Sequence, residues 1–193
     1  MNVTVRIPWT HDAFFAWEGH QHGRYEFDGT QPVDMVGVNV RHGLIGQNVA
    51  FALRSRLRES KWRVLGSGCG IETQAGAIRY PDALVTRGPL PGTAYLVADP
   101  VIVFEVVSPT SGRTDRIVKV AEYACIPALR RYVIIEPSGL GVTVLTRTDP
   151  AERWSLTTLA TASDILDLSE LGCELPLSEI YEGVSFDTAV LES

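Results

Sequence analysis

The chain has 193 residues, 45% of them hydrophobic and 21% charged, with a formal net charge of −6. That composition suits one globular domain with a core large enough to need no disulfides. The acidic balance argues against a protein that coats nucleic acid through a basic surface, and no apolar run approaches the ~20 residues needed to span a bilayer.

The N-terminal stretch MNVTVRIPWTHDAFF lacks a basic region followed by a long apolar one, so no export signal is expected. Cys69, Cys125 and Cys173 are scattered and form no CxxC pair, which fits a reduced, cytoplasmic protein. Of the 17 basic residues only Lys61 and Lys119 are lysines. Lysine is compact and its pKa shifts readily, whereas guanidinium stays charged and planar, so each lysine raises the question of what arginine could not do there.

In chain order, Thr10 is placed to cap a short helix that buries Phe14, Phe15 or Trp17. GRYEFDG and PVDMVGV read as two strands turning at Asp28-Gly29. From Arg41 to Glu59, Ile45, Val49, Leu53 and Leu57 recur every four residues, the pattern of an amphipathic helix. Arg54 and Arg58 share its polar side, where they could follow a nucleic-acid backbone or simply be solvated. WRVLGSG, CGIET and IRYPDALVT are short strands punctuated by glycine, and GSGCG at Gly66 to Gly70 is a turn, since it lacks the lysine and helix of a phosphate loop.

After the loop GPLPG comes a strand, VIVFEVV, expected to end at Ser108-Pro109 because proline cannot continue a ladder. TDRIVKVAEYACI follows as a helix whose apolar stripe would be Ile117, Val120, Ala121 and Ala124. RRYVIIEP is a second interior-type strand, GVTVLTRT and RWSLTTLA a hairpin, and LSEIYEGV a terminal turn or short helix. The sum is a mixed sheet with helices packed on it.

The chemistry concentrates at Glu105, a single carboxylate within an apolar strand. Burying its charge costs several kcal/mol unless it is paired, hydrogen-bonded or metal-bound. If the strand after Pro81-Asp82 is its antiparallel neighbour, Asp82 and Glu105 meet at one rim of the sheet. Two such carboxylates repel and favour neutrality unless a cation lies between them, and hard oxygen ligands suit Mg²⁺ or Mn²⁺. The alternative is an ion pair between Glu105 and Arg79 or Arg131. His20 and His22 lack the further ligands of a zinc site.

YPDALV followed by FEVVSPTSGRTDRIVKVAEYACIPALRRYVIIEP resembles the PD-(D/E)XK nuclease superfamily, most closely its Uma-two branch of restriction-endonuclease-like proteins. GRYEFDG and VRHGLIGQNVAFAL stand where that branch carries a tyrosine-glutamate strand and a histidine-led helix. The resemblance runs from about residue 24 to residue 137. It implies an α/β, restriction-endonuclease-like fold: a mixed central sheet flanked by helices, with a peripheral C-terminal β segment.

By the same resemblance, Asp82, Glu105 and Glu26 would bind Mg²⁺ or Mn²⁺, and Lys119 would be the catalytic lysine. Most of the superfamily places the lysine two residues after the glutamate, where this chain has Val107; the branch places it on the following helix. A helical wheel of 100° per residue sets Lys119 opposite the expected apolar stripe, on the side of Asp115 and Tyr123. Thr30 stands where the branch carries a further acidic residue. Arg113, Arg116 and His42 are candidate phosphate contacts, though the position of His42 at the start of a helix favours a surface or capping residue.

The function implied is metal-dependent hydrolysis of phosphodiester bonds in DNA, by a homodimer with no membrane association. Its rivals are a non-catalytic interaction or regulatory protein that keeps the fold, and a hydrolase of RNA or small phosphoesters.

Overall fold

The computed structural model describes residues 8–73, 75–108 and 112–186. Thr10 caps the first helix as its sequence predicts: its Oγ1 accepts the N–H of Ala13 at 3.1 Å, and α1 (His11–Glu18) buries Phe14. β1 (Tyr25–Phe27) and β2 (Pro32–Asp34) form the antiparallel hairpin. Its turn is held by Asp28, whose Oδ1 accepts from the backbone N–H groups of Thr30 and Gln31. Gly29 supplies the left-handed backbone the turn needs, at φ +93°.

α2 (Val40–Arg56) is the expected amphipathic helix. Its buried stripe of Ile45, Val49 and Leu53 packs on the sheet, each worth about 1.5–3 kcal/mol of apolar burial. Four strands follow: β3 (Arg63–Gly66), β4 (Ile71–Glu72), β5 (Ile78–Arg79) and β6 (Ala83–Thr86). β7 (Pro100–Val106) is the apolar strand carrying Glu105. It ends before Pro109, the residue expected to stop it, which lies outside the described residues.

A π-helical segment, Thr114–Val118, leads into α3 (Lys119–Ala124). Then come β8 (Arg131–Ile135), β9 (Val142–Thr146), β10 (Ser155–Leu159), β11 (Ile165–Leu168), β12 (Cys173–Pro176) and α4 (Leu177–Ile180).

The central sheet runs β10-β9-β8-β7-β6-β3, and a smaller sheet runs β2-β1-β5-β4. β7 and β8 are parallel, linked by the α3 crossover; the other central pairs are antiparallel. The hairpin expected from GVTVLTRT and RWSLTTLA therefore extends the central sheet. The peripheral C-terminal β segment is instead the pair β11 and β12, two strands the sequence pattern did not separate from loop.

Alternation along β7 divides the core. Ile102, Phe104 and Val106 face α2, α4 and the β11–β12 pair, while Val103 and Val107 face the side of α3, with Leu84, Tyr123 and Tyr132. Glu105 lies between Val103 and Val107 on that second face. A third cluster, Phe14, Phe27 and Ile78, fastens α1 to the smaller sheet.

Candidate active site

The β6–β7 register pairs Ala83 with Phe104, so the residue before β6 falls beside Glu105. Asp82 and Glu105 thus meet at the strand ends of two interior strands, as the antiparallel reading expects. Asp82 Oδ2 accepts the backbone N–H of Val106 at 2.7 Å and lies 3.4 Å from His42 Nε2. His42 is buried in the first turn of α2, where Asn39 Oδ1 accepts its backbone N–H. It is therefore neither a surface residue nor the cap; the cap is Asn39.

Glu105 is 5% exposed and its Oε1 accepts from Lys119 Nζ and from the Tyr123 hydroxyl, each at 2.8 Å. The alternative ion pair of Glu105 with Arg79 or Arg131 is not formed among the described residues: Arg131 pairs with Glu170, and Arg79 pairs with Glu26 and Glu122. Lys119, 4% exposed, reaches three carboxylates: Glu105, Glu26 at 3.1 Å and Asp115 at 3.2 Å.

This overturns the expected orientation of the helix. Ile117 is 60% exposed, and the buried side carries Asp115, Lys119 and Tyr123. The helix opens with a π-helical turn, which holds more residues per turn than an ideal wheel; Tyr123 and, just past the helix, Ile126 are buried in the core, and of the predicted stripe Val120 packs against them.

Glu26 sits opposite Arg79 because Phe27 pairs with Ile78 across β1 and β5. Its Oε2 meets Arg79 at 2.9 Å, and its Oε1 meets Lys119 and accepts the N–H of Tyr80. Both oxygens of this expected metal ligand are thus committed to other partners. Arg116 pairs with Glu136, and Arg113 is exposed.

Six of the ten buried polar residues among the described residues belong to this cluster: Glu26, His42, Arg79, Glu105, Asp115 and Lys119. Burial pushes the Glu105 carboxyl up to about 8 against the pull of Lys119, with Asp115, Asp82 and Glu26 adding to the rise. Burial also raises Asp82, against His42 and the Val106 N–H. For Glu26 burial works upward too, but Lys119 and Arg79 overcome it and hold the carboxyl below its usual range. For Lys119 the desolvation that disfavours its charge is outweighed by Glu105, Glu26 and Asp115, so it stays protonated.

Among the described residues, five carboxylates (Glu26, Asp82, Glu105, Asp115 and Glu122) therefore gather around two cations, Arg79 and Lys119, with the His42 imidazole beside Asp82. The excess negative charge can be met by protons or by a divalent cation. Among the described residues no three His, Cys, Asp or Glu side chains stand ready as a metal cage. The reason is visible in the bonding: Oε1 of Glu105 and Oδ2 of Asp82 are engaged. Their other oxygens carry no hydrogen bond among the described residues, and these are hard donors of the kind Mg²⁺ and Mn²⁺ take.

The cluster opens into a cavity of about 190 Å³ walled by Val36, Val38, Tyr80 and Thr114. No helix among the described residues is long and apolar enough to cross a membrane.

The sequence reading brought Asp82, Glu105, Glu26 and Lys119 together correctly in space. It did not assign a role to Asp115, Tyr123 or Glu122, and it weighed Arg79 only as an alternative partner of Glu105. The signal for two of these was present: Asp115, Lys119 and Tyr123 recur every four residues, a polar stripe that reads as buried once the helix is turned.

Two relatives bear on these observations. The protein slr1290 of Synechocystis sp. (strain ATCC 27184 / PCC 6803 / Kazusa), described as uncharacterized, is 24% identical over 177 residues, covering 91% of this chain and 92% of that protein. A crystal structure from Anabaena variabilis ATCC 29413, described as a "putative nuclease belonging to DUF820", shares the fold with a TM-score of 0.73. It covers 90% of this chain and 98% of its own at 14% identity. The model of the Uma2 family, described as "Putative restriction endonuclease", matches residues 11–178, and the chain belongs to that family.

Proposed function

We propose that the protein is a Mg²⁺- or Mn²⁺-dependent nuclease that hydrolyses phosphodiester bonds in DNA. The observation that carries this reading is the pair of half-buried Asp82 and buried Glu105 at adjacent strand ends, with one uncommitted oxygen each, in a cluster with more carboxylates than cations. The Uma2 membership and the shared nuclease-type fold support it further.

In this reading Asp82 and Glu105 hold the divalent ion. When bound, such an ion polarises a phosphoryl oxygen and brings the pKa of a coordinated water towards neutrality. Lys119 is held charged by Glu26 and Asp115, so it can donate a hydrogen bond to a phosphate oxygen as negative charge builds there. Glu26 and Arg79 position that lysine, and His42 orients Asp82. Tyr123 fixes the Glu105 carboxylate through its hydroxyl.

One observation favours a second reading, a fold-retaining protein without catalysis: the hydrogen bond from Lys119 to Glu105 already satisfies part of the buried charge. Cleavage assays on single-stranded DNA, duplex DNA and RNA, with Mg²⁺, Mn²⁺ or EDTA, separate the two. The nuclease reading expects metal-dependent cleavage that falls by about a hundredfold or more in Asp82→Asn and Glu105→Gln. Cleavage that persists in EDTA, or in both variants, contradicts it.

A further inference from the structure

Helix α2 starts at the acidic cluster and leads away from it to an arginine-rich surface that has no part in that site. Next to His42 and Asp82 lies a second hollow, of about 360 Å³, floored by Gly43, Gly46 and Gly66. A Cβ added at Gly43 or Gly66 would meet nothing within 4 Å, so these glycines leave open space rather than relieve a clash. At the far end of the helix is a hollow of about 710 Å³ lined by Phe51, Arg54, Arg58, Trp62 and Arg63.

One stripe of α2 connects the two. Gly43, Gln47, Ala50, Phe51 and Arg54 follow the spacing of a single helical face, over a rise of roughly 16 Å. β3 borders the same path, with Arg63 at one end and Gly66 at the other, and it is the edge strand of the central sheet. Among the described residues no further strand pairs with this edge.

The far end has a distinct chemistry. Arg54, Arg58 and Arg63 are exposed, and the Arg87 guanidinium lies 4.7 Å from the Trp62 ring centre. Among the described residues none of these four is in an ion pair, whereas Arg56, Arg79, Arg116 and Arg131 all are. One acid, Glu59, lines the same hollow. Phe51, on the connecting stripe, is 75% exposed. In a chain of net charge −6, a local set of unpaired guanidinium groups beside an open aromatic face suits a single strand of nucleic acid, whose phosphates meet the cations while an unstacked base lies on the ring. A duplex keeps its base faces stacked and would leave Phe51 unused.

We infer that the groove between α2 and β3 carries single-stranded DNA from the acidic site towards Arg54, Arg58 and Arg63, with a base stacked on Phe51. The inference rests on the hydrolytic reading above for where the strand begins.

Binding of a fluorescein-labelled oligothymidylate, followed by anisotropy in EDTA, tests it. Phe51→Ala should weaken binding roughly tenfold with little change in salt dependence. The pair Arg54→Ala and Arg58→Ala should lower the slope of log affinity against log salt by about 1.4, and Arg54→Lys with Arg58→Lys should restore it. An unchanged slope and affinity in the alanine pair, or tighter binding of a duplex of equal length, overturns the inference.

Hydrolysis of bis(p-nitrophenyl) phosphate by the wild type with Mn²⁺ checks the site separately, because that diester has no nucleotides to reach along α2. Turnover with arginine-independent binding overturns the groove alone. No turnover with arginine-dependent binding overturns the hydrolytic reading and leaves the groove standing.

Discussion

Lys119 Nζ donates to Glu105 Oε1 at 2.8 Å, and the same ammonium group lies 3.1 Å from Glu26 and 3.2 Å from Asp115. One buried cation thus serves three carboxylates contributed by β1, β7 and the π-helical segment. The carboxylates depend on the lysine more than the lysine depends on any one of them.

Lys119→Met should therefore be costly. It removes the shared counter-charge and leaves buried carboxylates unpaired, for a loss of about 3–5 kcal/mol in urea unfolding at neutral pH without metal. Part of that loss should return on mild acidification, as the carboxylates take up protons. A variant as stable as wild type would contradict the role given to this lysine.

Glu105→Gln should behave in the opposite way. Lys119 keeps Glu26 and Asp115, and the new amide oxygen can still accept from Tyr123. With repulsion from Asp82 and Asp115 relieved, the metal-free variant is expected to be as stable as wild type or more so. A loss comparable to that of Lys119→Met would show instead that Glu105 is principally half of a structural ion pair.

The pH dependence of stability follows from the same group. Glu105 is raised from 4.5 to about 8 by burial, so the folded state retains a proton that the unfolded chain releases. Its contribution is fully present below about pH 4.5 and is lost as pH rises through about 8. Asp82, also raised, acts in the same direction. Glu26, lowered, has its effect on the acid side, where its stabilising charge is lost as pH falls. Melting temperature in EDTA should decline from about pH 5 to pH 8, and the decline should be shallower in Glu105→Gln. A melting temperature that rises across that window would contradict the assignment.

Asp82→Asn separates structure from chemistry at the other carboxylate. The amide oxygen can still accept the Val106 N–H that closes the strand end, so folding should change by no more than about 1 kcal/mol. Cleavage should nonetheless be lost, because the charge that would hold a cation is gone. Unfolding curves and a nuclease assay on the same preparation check both halves.

Much of this site is legible in the sequence because strands with proline and glycine punctuation set their own ends. Pro81-Asp82 and VIVFEVV mark the ends of β6 and β7, and the antiparallel pairing that the sequence reading took as its condition brings Asp82 to Glu105. The helix of Lys119 is different. An apolar stripe turns Ile117 inward on a wheel, whereas the fold buries the opposite side, so that Asp115, Lys119 and Tyr123 face the sheet and Ile117 faces out. The Arg79–Glu26 bridge was hidden because it depends on the short β1–β5 pairing in a separate sheet. His42 was misplaced because its burial depends on Asp82, far away in sequence. β11 and β12 are four residues each, too short for their alternation to stand out from the surrounding turns.

The most direct measurement is calorimetric titration of Mn²⁺ into the wild type and into Glu105→Ala, with circular dichroism to confirm that both are folded. The wild type should show a saturable Mn²⁺ site that is lost or greatly weakened in the variant. Equal Mn²⁺ affinity in the two proteins would contradict the assignment of Glu105 as a metal ligand.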